Sequence, residues 1–442
     1  MEEKAAQGSP PSVNEVGLNR GCLGCLLYQQ LLRSTYYEPD PSKADFYWIP
    51  GGGKYASRDK LLEVFHWMRA EWPWWNQSVA AGQARHVFLS TYDSGPGETL
   101  GWKNADESGR GMLPDDMNPF SPTRNVVFLS FNSLRDVRAG QAGGCTVCMQ
   151  AGKDIMIPTA ENVCGPLCGY DVRTLREKSL WSLHGEALQA SLSAKRKHTL
   201  FFGGSVGDLS ENDYTGRGGL VAAHADRPGF NIVVGANDHG HTAAGAGAAI
   251  SFAEAMRDAE FCYSPMGSHG GDSDRYVAAS LFGCVPVLIN SSHNRMRLPH
   301  SLPLEEVLPW HTFSSVVDTA DVATLHEKLE CLLPSVPRMR AALAAEWPRL
   351  LYSSLYRSYL GEPAGENTTV GGGQGDAFDA IMQVLTSRIP HGYRASPEAM
   401  ARMHHADAHE WPCRARGSAA AAAAVNAHPL RAARRSTRAR RA

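Results

Sequence analysis

The sequence predicts an α/β protein built from two Rossmann-like domains, each with a parallel sheet. Short apolar runs typical of strands alternate with longer segments of helical periodicity, and they do so in two successive series. Such alternation is typical of parallel sheets, in which a helix carries the chain back to the start of the next strand. At 442 residues the chain is also long enough for two to three domains.

The first series predicts a domain over residues 31–192, after a polar lead-in at residues 1–30. Helices are expected around residues 59–69 and 174–193. The strand candidates are residues 45–49, 86–90, 126–130 and 154–157. Two long loops, 93–124 and 136–150, are rich in Gly, Asp and Pro, and loops of that length are commonly functional.

The second series predicts a domain over residues 193–335, with the boundary near residues 191–196. Its strand candidates are residues 199–202, 231–234, 260–263, 285–289 and 315–317, and its helices are expected near 248–257, 273–281 and 322–332. Two further helical segments, 338–359 and 376–388, fall in a C-terminal region at 336–390. Residues 414–442 are rich in Ala and Arg and predict a disordered tail, because this composition cannot bury a core.

Charge and hydropathy exclude several classes of protein. The net charge of −2 gives the body of the chain no electrostatic footprint for nucleic acid, so no nucleic-acid partner is expected. No run of about 18 apolar residues is present, and the first residues lack the basic start and apolar core of a signal peptide. The chain as written therefore predicts neither a membrane anchor nor a signal.

The segment from Phe261 to Ile289 predicts a strand, a glycine-rich turn, a helix and a second strand, which together make a βαβ unit. A glycine-rich turn before a helix offers free backbone N–H groups to an anion such as a pyrophosphate, although many such turns only reverse the chain. The candidate binding residues in this unit are Ser264, Gly267, Gly270, Gly271, Asp272, Ser273 and Arg275.

Several blocks of this chain resemble the exostosin-like glycosyltransferases. Ser273-x-Arg275 followed by Gly283-Cys-Val-Pro-Val287 is similar to the nucleotide-sugar signature of that family. Further similar blocks follow the family's order, so that the resemblance covers about residues 31–333; they are residues 31–50, 86–93, 153–158, 196–204 and 308–314.

The resemblance implies a GT-B fold, in which two Rossmann-like domains face each other across a cleft and the last helix returns to the first domain. It implies transfer of a sugar with inversion from a nucleotide-sugar donor, expected to be a UDP-sugar, to a glycan acceptor, without metal or other cofactor. It also implies a Golgi location and a family partner in a complex. Family members are mostly held by an N-terminal membrane helix, which this sequence does not show.

The donor phosphates are expected to meet the glycine-rich turn, the guanidinium of Arg275 and a second turn at Gly203, Gly204 and Ser205. A salt bridge on the helix surface is the structural alternative for Arg275. The one Asp-x-Asp, Asp272-Ser-Asp274, opens a helix, where carboxylates cap free N–H groups, instead of ending a strand. This position argues against a metal-dependent mechanism.

Asp93 is the candidate catalytic base, because it follows an apolar strand and matches an Asp in a family block. Ligands bind at the carboxyl ends of strands in open α/β sheets. An Asp that only orders the following loop is the alternative. His239 and His241 form a second candidate pair, but no third ligand for a metal is identifiable near them.

One position departs from the family. An acidic residue usually lies three positions after the Arg and accepts hydrogen bonds from the ribose, whereas this chain has Ala278, where a carboxylate could reach the ribose hydroxyls. Losing such a bond costs about 1.5–3 kcal/mol. Either another acidic group such as Asp272 or Asp274 substitutes, or the donor is bound weakly, or the chain has a second function, as a catalytically inactive relative that binds glycan or supports an active partner.

The ten cysteines include three close pairs, at 22 and 25, 145 and 148, and 164 and 168, which could form disulfides or, for the first two, halves of a zinc centre. The resemblance favours disulfides over a zinc-stabilised, nucleic-acid-associated protein. Cys262 and Cys284 are expected to be buried thiols. The Trp72-Pro-Trp-Trp75 cluster could stack on sugar rings or form a buried corner.

Overall fold

A computed structural model gives the structure of the protein. It describes residues 22–52, 58–90, 125–131, 149–159, 177–204, 206, 216–234, 252–265, 275–290, 302–352 and 375–405. Over these residues the fold is α/β, with a four-stranded and a five-stranded sheet, both parallel. The predicted fold class is therefore confirmed. No helix in these ranges is long and apolar enough to cross a membrane.

The first sheet contains β1 (Tyr47–Gly52), β2 (His86–Ser90), β3 (Val126–Ser130) and β4 (Ile155–Met156), in that spatial order. All residues of β2 and β3 are buried, as expected for strands covered on both faces. Helices α1 (Cys22–Arg33), α2 (Arg58–Glu71) and α3 (Pro73–Ala80) precede or connect the first two strands.

The second sheet contains β5 (His198–Gly204), β6 (Phe230–Val234), β7 (Ala259–Ser264), β8 (Val285–Asn290) and β9 (Ser315–Asp318). The spatial order is β6-β5-β7-β8-β9, so β6 lies on one side of β5 and the three later strands lie on the other side. The helices of this half are α4 (Gly185–Ser193), α5 (Arg217–His224), α6 (Phe252–Arg257), α7 (Arg275–Leu281), α8 (Trp310–Phe313), α9 (Leu325–Leu332) and α10 (Val336–Glu346).

The predicted helix over 338–359 is shorter in the structure. α10 ends at Glu346 and is followed by a 3-10 turn, Trp347–Leu350. Pro348 explains the break, because proline has no N–H for an α-helical hydrogen bond and its ring clashes with the preceding turn.

A buried ion pair fixes the chain between the two sheets. The carboxylate of Glu260, in β7, contacts the guanidinium of Arg340, in α10, and accepts a 2.8 Å hydrogen bond from the backbone N–H of Arg196. Arg340 also donates to the carbonyl of Ala194 at 2.8 Å. The segment that enters β5 is therefore held by groups from the second half of the chain.

Two late helices, α11 (Ala377–Arg388) and α12 (Pro397–His405), pack beside the first sheet. The buried guanidinium of Arg388 donates to the carbonyl of Lys153, just before β4, and pairs through two nitrogens with the carboxylate of Glu306. The N–H of Ala395 donates to the carbonyl of Gly152 at 2.9 Å. This return to the first sheet agrees with the expectation from the family.

Cys262 and Cys284 are bonded to each other, so the expectation of two buried thiols is wrong. Cys262 lies in β7 and Cys284 directly precedes the neighbouring strand β8, which brings their Cα atoms to 5.7 Å. The apolar sequence of these strands did not indicate the pairing, because a free thiol and a disulfide are both compatible with a buried position. Cys331 is also disulfide-bonded. The side chains of the three close cysteine pairs lie outside the described residues.

Candidate active site

The order of strands in the second sheet creates a crevice at one place. β5 is flanked by β6 on one side and β7 on the other, and the connections that leave the adjacent strands β5 and β7 run in opposite directions, toward β6 and toward β8. Ligands of open α/β folds bind outside the carboxyl ends of the strands at such a switch point. The carboxyl ends that meet here are Gly203-Gly204 of β5 and Ser264 of β7.

Arg275 reaches this crevice from α7, the helix between β7 and β8. Its Nε donates to the carbonyl of Gly203 at 3.2 Å, and its guanidinium carbon lies 5.9 Å from the centre of the Phe202 ring. The sequence placed Arg275 and the Gly203-Gly204 turn in one site from motif similarity, and the structure brings them into contact. A guanidinium at this edge is suited to an anionic ligand, because it offers planar, charge-assisted hydrogen bonds.

Both glycines lie close to side chains of other elements. A Cβ atom at Gly204 would lie 2.6 Å from Nη2 of Arg275, and one at Gly203 would overlap the ring of Phe252 in α6. Phe252 also packs edge-on against Phe201 at 5.8 Å. Sequence reasoning missed Phe202 and Phe252 as supports for the turn, although the paired aromatics before Gly203 were a visible signal.

Ser264 ends β7 beside the same crevice. It is 4% exposed, and its hydroxyl donates to the carbonyl of Cys262 at 3.2 Å. Its position at the end of the strand agrees with the expectation from the sequence, while its hydroxyl is bonded within β7. The other expected donor-binding residues, Ser205, Gly267, Gly270, Gly271, Asp272 and Ser273, lie outside the described residues.

Ala278 lies in the apolar core rather than in the crevice. It is 2% exposed and belongs to the same buried cluster as Ala279 and Leu281. Every residue of α7 after Arg275 is buried. The surroundings of Ala278 therefore favour an apolar side chain, and a carboxylate there would need a polar partner to offset its desolvation.

Hydroxyl side chains occupy the carboxyl edge of the first sheet. Ser90 ends β2, Ser130 ends β3 in register with it, and Thr159 follows β4; all three are buried. Thr159 Oγ1 has no hydrogen-bond partner within the described part of the chain. Sequence reasoning missed this row, although the repeated Val-Phe-Leu-Ser of β2 and β3 could have indicated it.

The candidate base, Asp93, and the second candidate pair, His239 and His241, lie outside the described residues. Within the described ranges, no three His, Cys, Asp or Glu side chains are grouped so as to hold a metal ion.

A cleft of about 270 Å³ lies elsewhere, lined by residues that include Trp310, Arg349 and Arg402. Glu305 and Glu306 also line this cleft, and Arg349 pairs with the carboxylate of Glu346 at 3.1 Å, so the cleft is a poor anion site.

Comparison with known proteins gives the family. The model of the Exostosin GT47 domain matches residues 25–332, which is more than half of the chain. A probable glucuronosyltransferase of Oryza sativa subsp. japonica is 26% identical over 390 residues, covering 83% of this chain and 73% of the relative. A probable beta-1,4-xylosyltransferase of Arabidopsis thaliana is 24% identical over 384 residues, covering 83% and 75%.

The matched region includes both sheets, the Gly203-Gly204 turn and Arg275. The two parallel sheets agree with the GT-B architecture of that family. The chain therefore belongs to the exostosin GT47 family and is a glycosyltransferase.

Proposed function

We propose that this glycosyltransferase moves a sugar from a UDP-sugar to a glycan acceptor, with inversion and without a metal ion. The observation that carries the proposal is the contact of Arg275 with the Gly203-Gly204 turn at the switch point of the second sheet. The donor would bind in that crevice, with its diphosphate against the guanidinium.

Transfer requires that negative charge be stabilised on the departing diphosphate. Arg275 is suited to this task because its Nε hydrogen bond to Gly203 and the ring of Phe202 hold the guanidinium in one place before the donor arrives. A preorganised cation needs little rearrangement as charge develops. The backbone N–H groups of residues 270–273 are proposed as further donors to the phosphates.

Transfer also requires a base that removes the proton of the acceptor hydroxyl as it attacks the donor sugar. We propose Asp93 for this role, because it follows β2 at the carboxyl end of the first sheet. The acceptor would lie along that edge, across from the donor. A Golgi location and a family partner remain proposals from the family resemblance.

A donor screen tests the function. Release of nucleoside diphosphate is measured with UDP-xylose, UDP-glucuronic acid and other UDP-sugars, with xylohexaose as acceptor and with or without EDTA. We expect turnover with at least one UDP-sugar, unchanged by EDTA. Loss of turnover on chelation that Mn²⁺ restores would overturn the metal-independent mechanism and direct attention to Asp272 and Asp274.

Arg275→Ala tests the site itself. We expect UDP to bind roughly 10- to 100-fold more weakly by calorimetry, because a charge-assisted hydrogen bond of about 1.5–3 kcal/mol is lost. Arg257→Ala is the matched control, since Arg257 is an exposed arginine of the same half. Equal UDP affinity in Arg275→Ala and the control would remove Arg275 from the donor site.

A further inference from the structure

An aromatic surface on the first half of the chain takes no part in the proposed transfer. It consists of Trp67 in α2, Trp72 between the helices and Trp74 in α3, and is here named the tryptophan platform. Trp67 is 54% exposed, the most of any large apolar side chain in the described ranges. Trp72 and Trp74 are half-buried, whereas Trp75 is fully buried and belongs to the core.

The rings of the platform are held in fixed orientations. The indoles of Trp67 and Trp72 stack with centroids 6.2 Å apart and planes 27° from parallel. Tyr47 meets Trp72 edge-on at 6.0 Å and stacks beside Trp74 at 6.4 Å. The guanidinium of Arg85 lies 5.0 Å from the Tyr47 ring. Because the rings are already immobilised, a ligand would bind with little loss of side-chain entropy.

The surroundings of the platform are polar. His66, Arg69, Glu71 and Asn76 are exposed and lie within two sequence positions of a platform tryptophan, and Asn76 is fixed by a hydrogen bond from its Nδ2 to the carbonyl of Arg69. Flat apolar rings edged by polar groups suit a ligand with one apolar face and hydrogen-bonding groups at its rim. A pyranose ring has this character, with C–H groups on its face and hydroxyls around its edge.

The size of the platform argues against a protein partner. Three rings of about 150–250 Å² each, of which two are half-buried, can cover only a few hundred Å². A stable protein interface buries roughly 800 Å² on each partner.

The platform lies at the amino ends of the strands, away from the proposed transfer centre. Tyr47 begins β1 and pairs with His86, which begins β2, whereas Asp93 follows the opposite end of β2. The length of β2 alone separates the two edges by about 13 Å. One acceptor can contact both places only if it is a chain of several sugar residues.

We propose that the tryptophan platform is a second glycan-binding site, which holds a β-1,4-linked acceptor chain away from the transfer centre. The proposal rests on the glycan acceptor of the proposed function. The linkage is taken from the relative named as a beta-1,4-xylosyltransferase.

The test measures binding of soluble xylan by affinity electrophoresis without donor, and transfer to xylan and to xylobiose with donor. We expect Trp67→Ala to bind xylan roughly tenfold more weakly, as for loss of one stacked ring. Its KM for xylan should rise while its KM for xylobiose stays unchanged. Trp67→Tyr should restore most of the affinity, and Tyr37→Ala, which removes an exposed aromatic elsewhere, should change nothing.

Equal xylan affinity in Trp67→Ala and unaltered protein would overturn the platform. The platform would also be overturned if Trp67→Ala changed the concentration-dependent self-association of the protein and left xylan binding unchanged. Binding is measured without donor, so a protein that binds xylan through Trp67 but transfers no sugar would contradict only the proposed function.

Discussion

At the scale of single residues, the two adjacent glycines at the end of β5 have different neighbours, so substitution of each one should have a different effect. We expect Gly204→Ala to weaken UDP binding roughly 10- to 100-fold, because the added Cβ displaces the guanidinium of Arg275, at a cost of about 1.5–3 kcal/mol. Gly203→Ala should instead destabilise the fold by about 1–3 kcal/mol, because it overpacks against Phe252.

Calorimetry with UDP and thermal unfolding separate these two effects. Gly219→Ala is the control, since a Cβ there meets only Val322 at 3.7 Å. An unchanged UDP affinity in Gly204→Ala would contradict the donor site at this turn.

His86 predicts a dependence of stability on pH. Burial, and then the charge of Arg85, lower the pKa of His86 to about 3, so the folded protein keeps this ring neutral. The unfolded chain takes up a proton below about pH 6.5. Between about pH 6.5 and 3 the unfolded state therefore binds more protons, and stability falls as pH falls, by a total on the order of 5 kcal/mol.

We expect His86→Phe, which cannot titrate, to lose this part of the pH dependence in urea unfolding between pH 7 and 4. His66→Gln, at an exposed histidine, should keep it. Parallel pH profiles of His86→Phe and unaltered protein would show that His86 is not the titrating group.

At this scale, sequence patterns could name candidate site residues only where the signal is local. The Gly-Gly turn and Arg275 lie in blocks that resemble those of the exostosin family, so they could be named in advance as candidates. The packing of Phe252 on Gly203 joins residues 49 positions apart and needs the folded sheet. Ala278 shows the limit most clearly, because its place in a motif suggested a role in binding whereas its burial indicates a role in packing.

At the scale of secondary-structure elements, the disulfide between β7 and the start of β8 spans the Gly-rich turn and α7. Replacing both cysteines by Ala should lower the free energy of unfolding by about 3 kcal/mol, the value for a closed loop of this order. Urea unfolding under oxidising conditions measures the loss. An unchanged midpoint and slope would mean that the bond adds no stability.

The elements themselves were largely predictable, because mainly apolar strands such as β2, β3 and β7 carry a strong local signal. The strand order β6-β5-β7-β8-β9 was not predictable from the sequence, because it depends on which face of the sheet each connecting helix covers. The pairing of Cys262 with Cys284 was missed for the same reason, since it requires β7 and β8 to be neighbours.

At the scale of the whole molecule, Arg388 joins α11 to both the first sheet and Glu306. Arg388→Met should destabilise the protein by about 3–5 kcal/mol, because it leaves the buried Glu306 carboxylate without its partner. Adding Glu306→Leu should recover much of this loss, since removing both charges avoids an unpaired one.

Arg402→Met is the matched control, because Arg402 is exposed and donates only to the carbonyl of Glu306. Hydrogen exchange should show faster opening of β3 and β4 in Arg388→Met than in the control. Equal protection in both variants would contradict a role of Arg388 in holding the first sheet.

The return of α11 and α12 has a consequence for synthesis of the chain. The first sheet is translated early, but its contacts at Gly152 and Lys153 are completed by residues that leave the ribosome much later. Some 220 residues separate β4 from α11, which corresponds to roughly 10–45 s at about 5–20 residues per second. During that interval the second sheet can form first, so the half made first is expected to reach its final packing last.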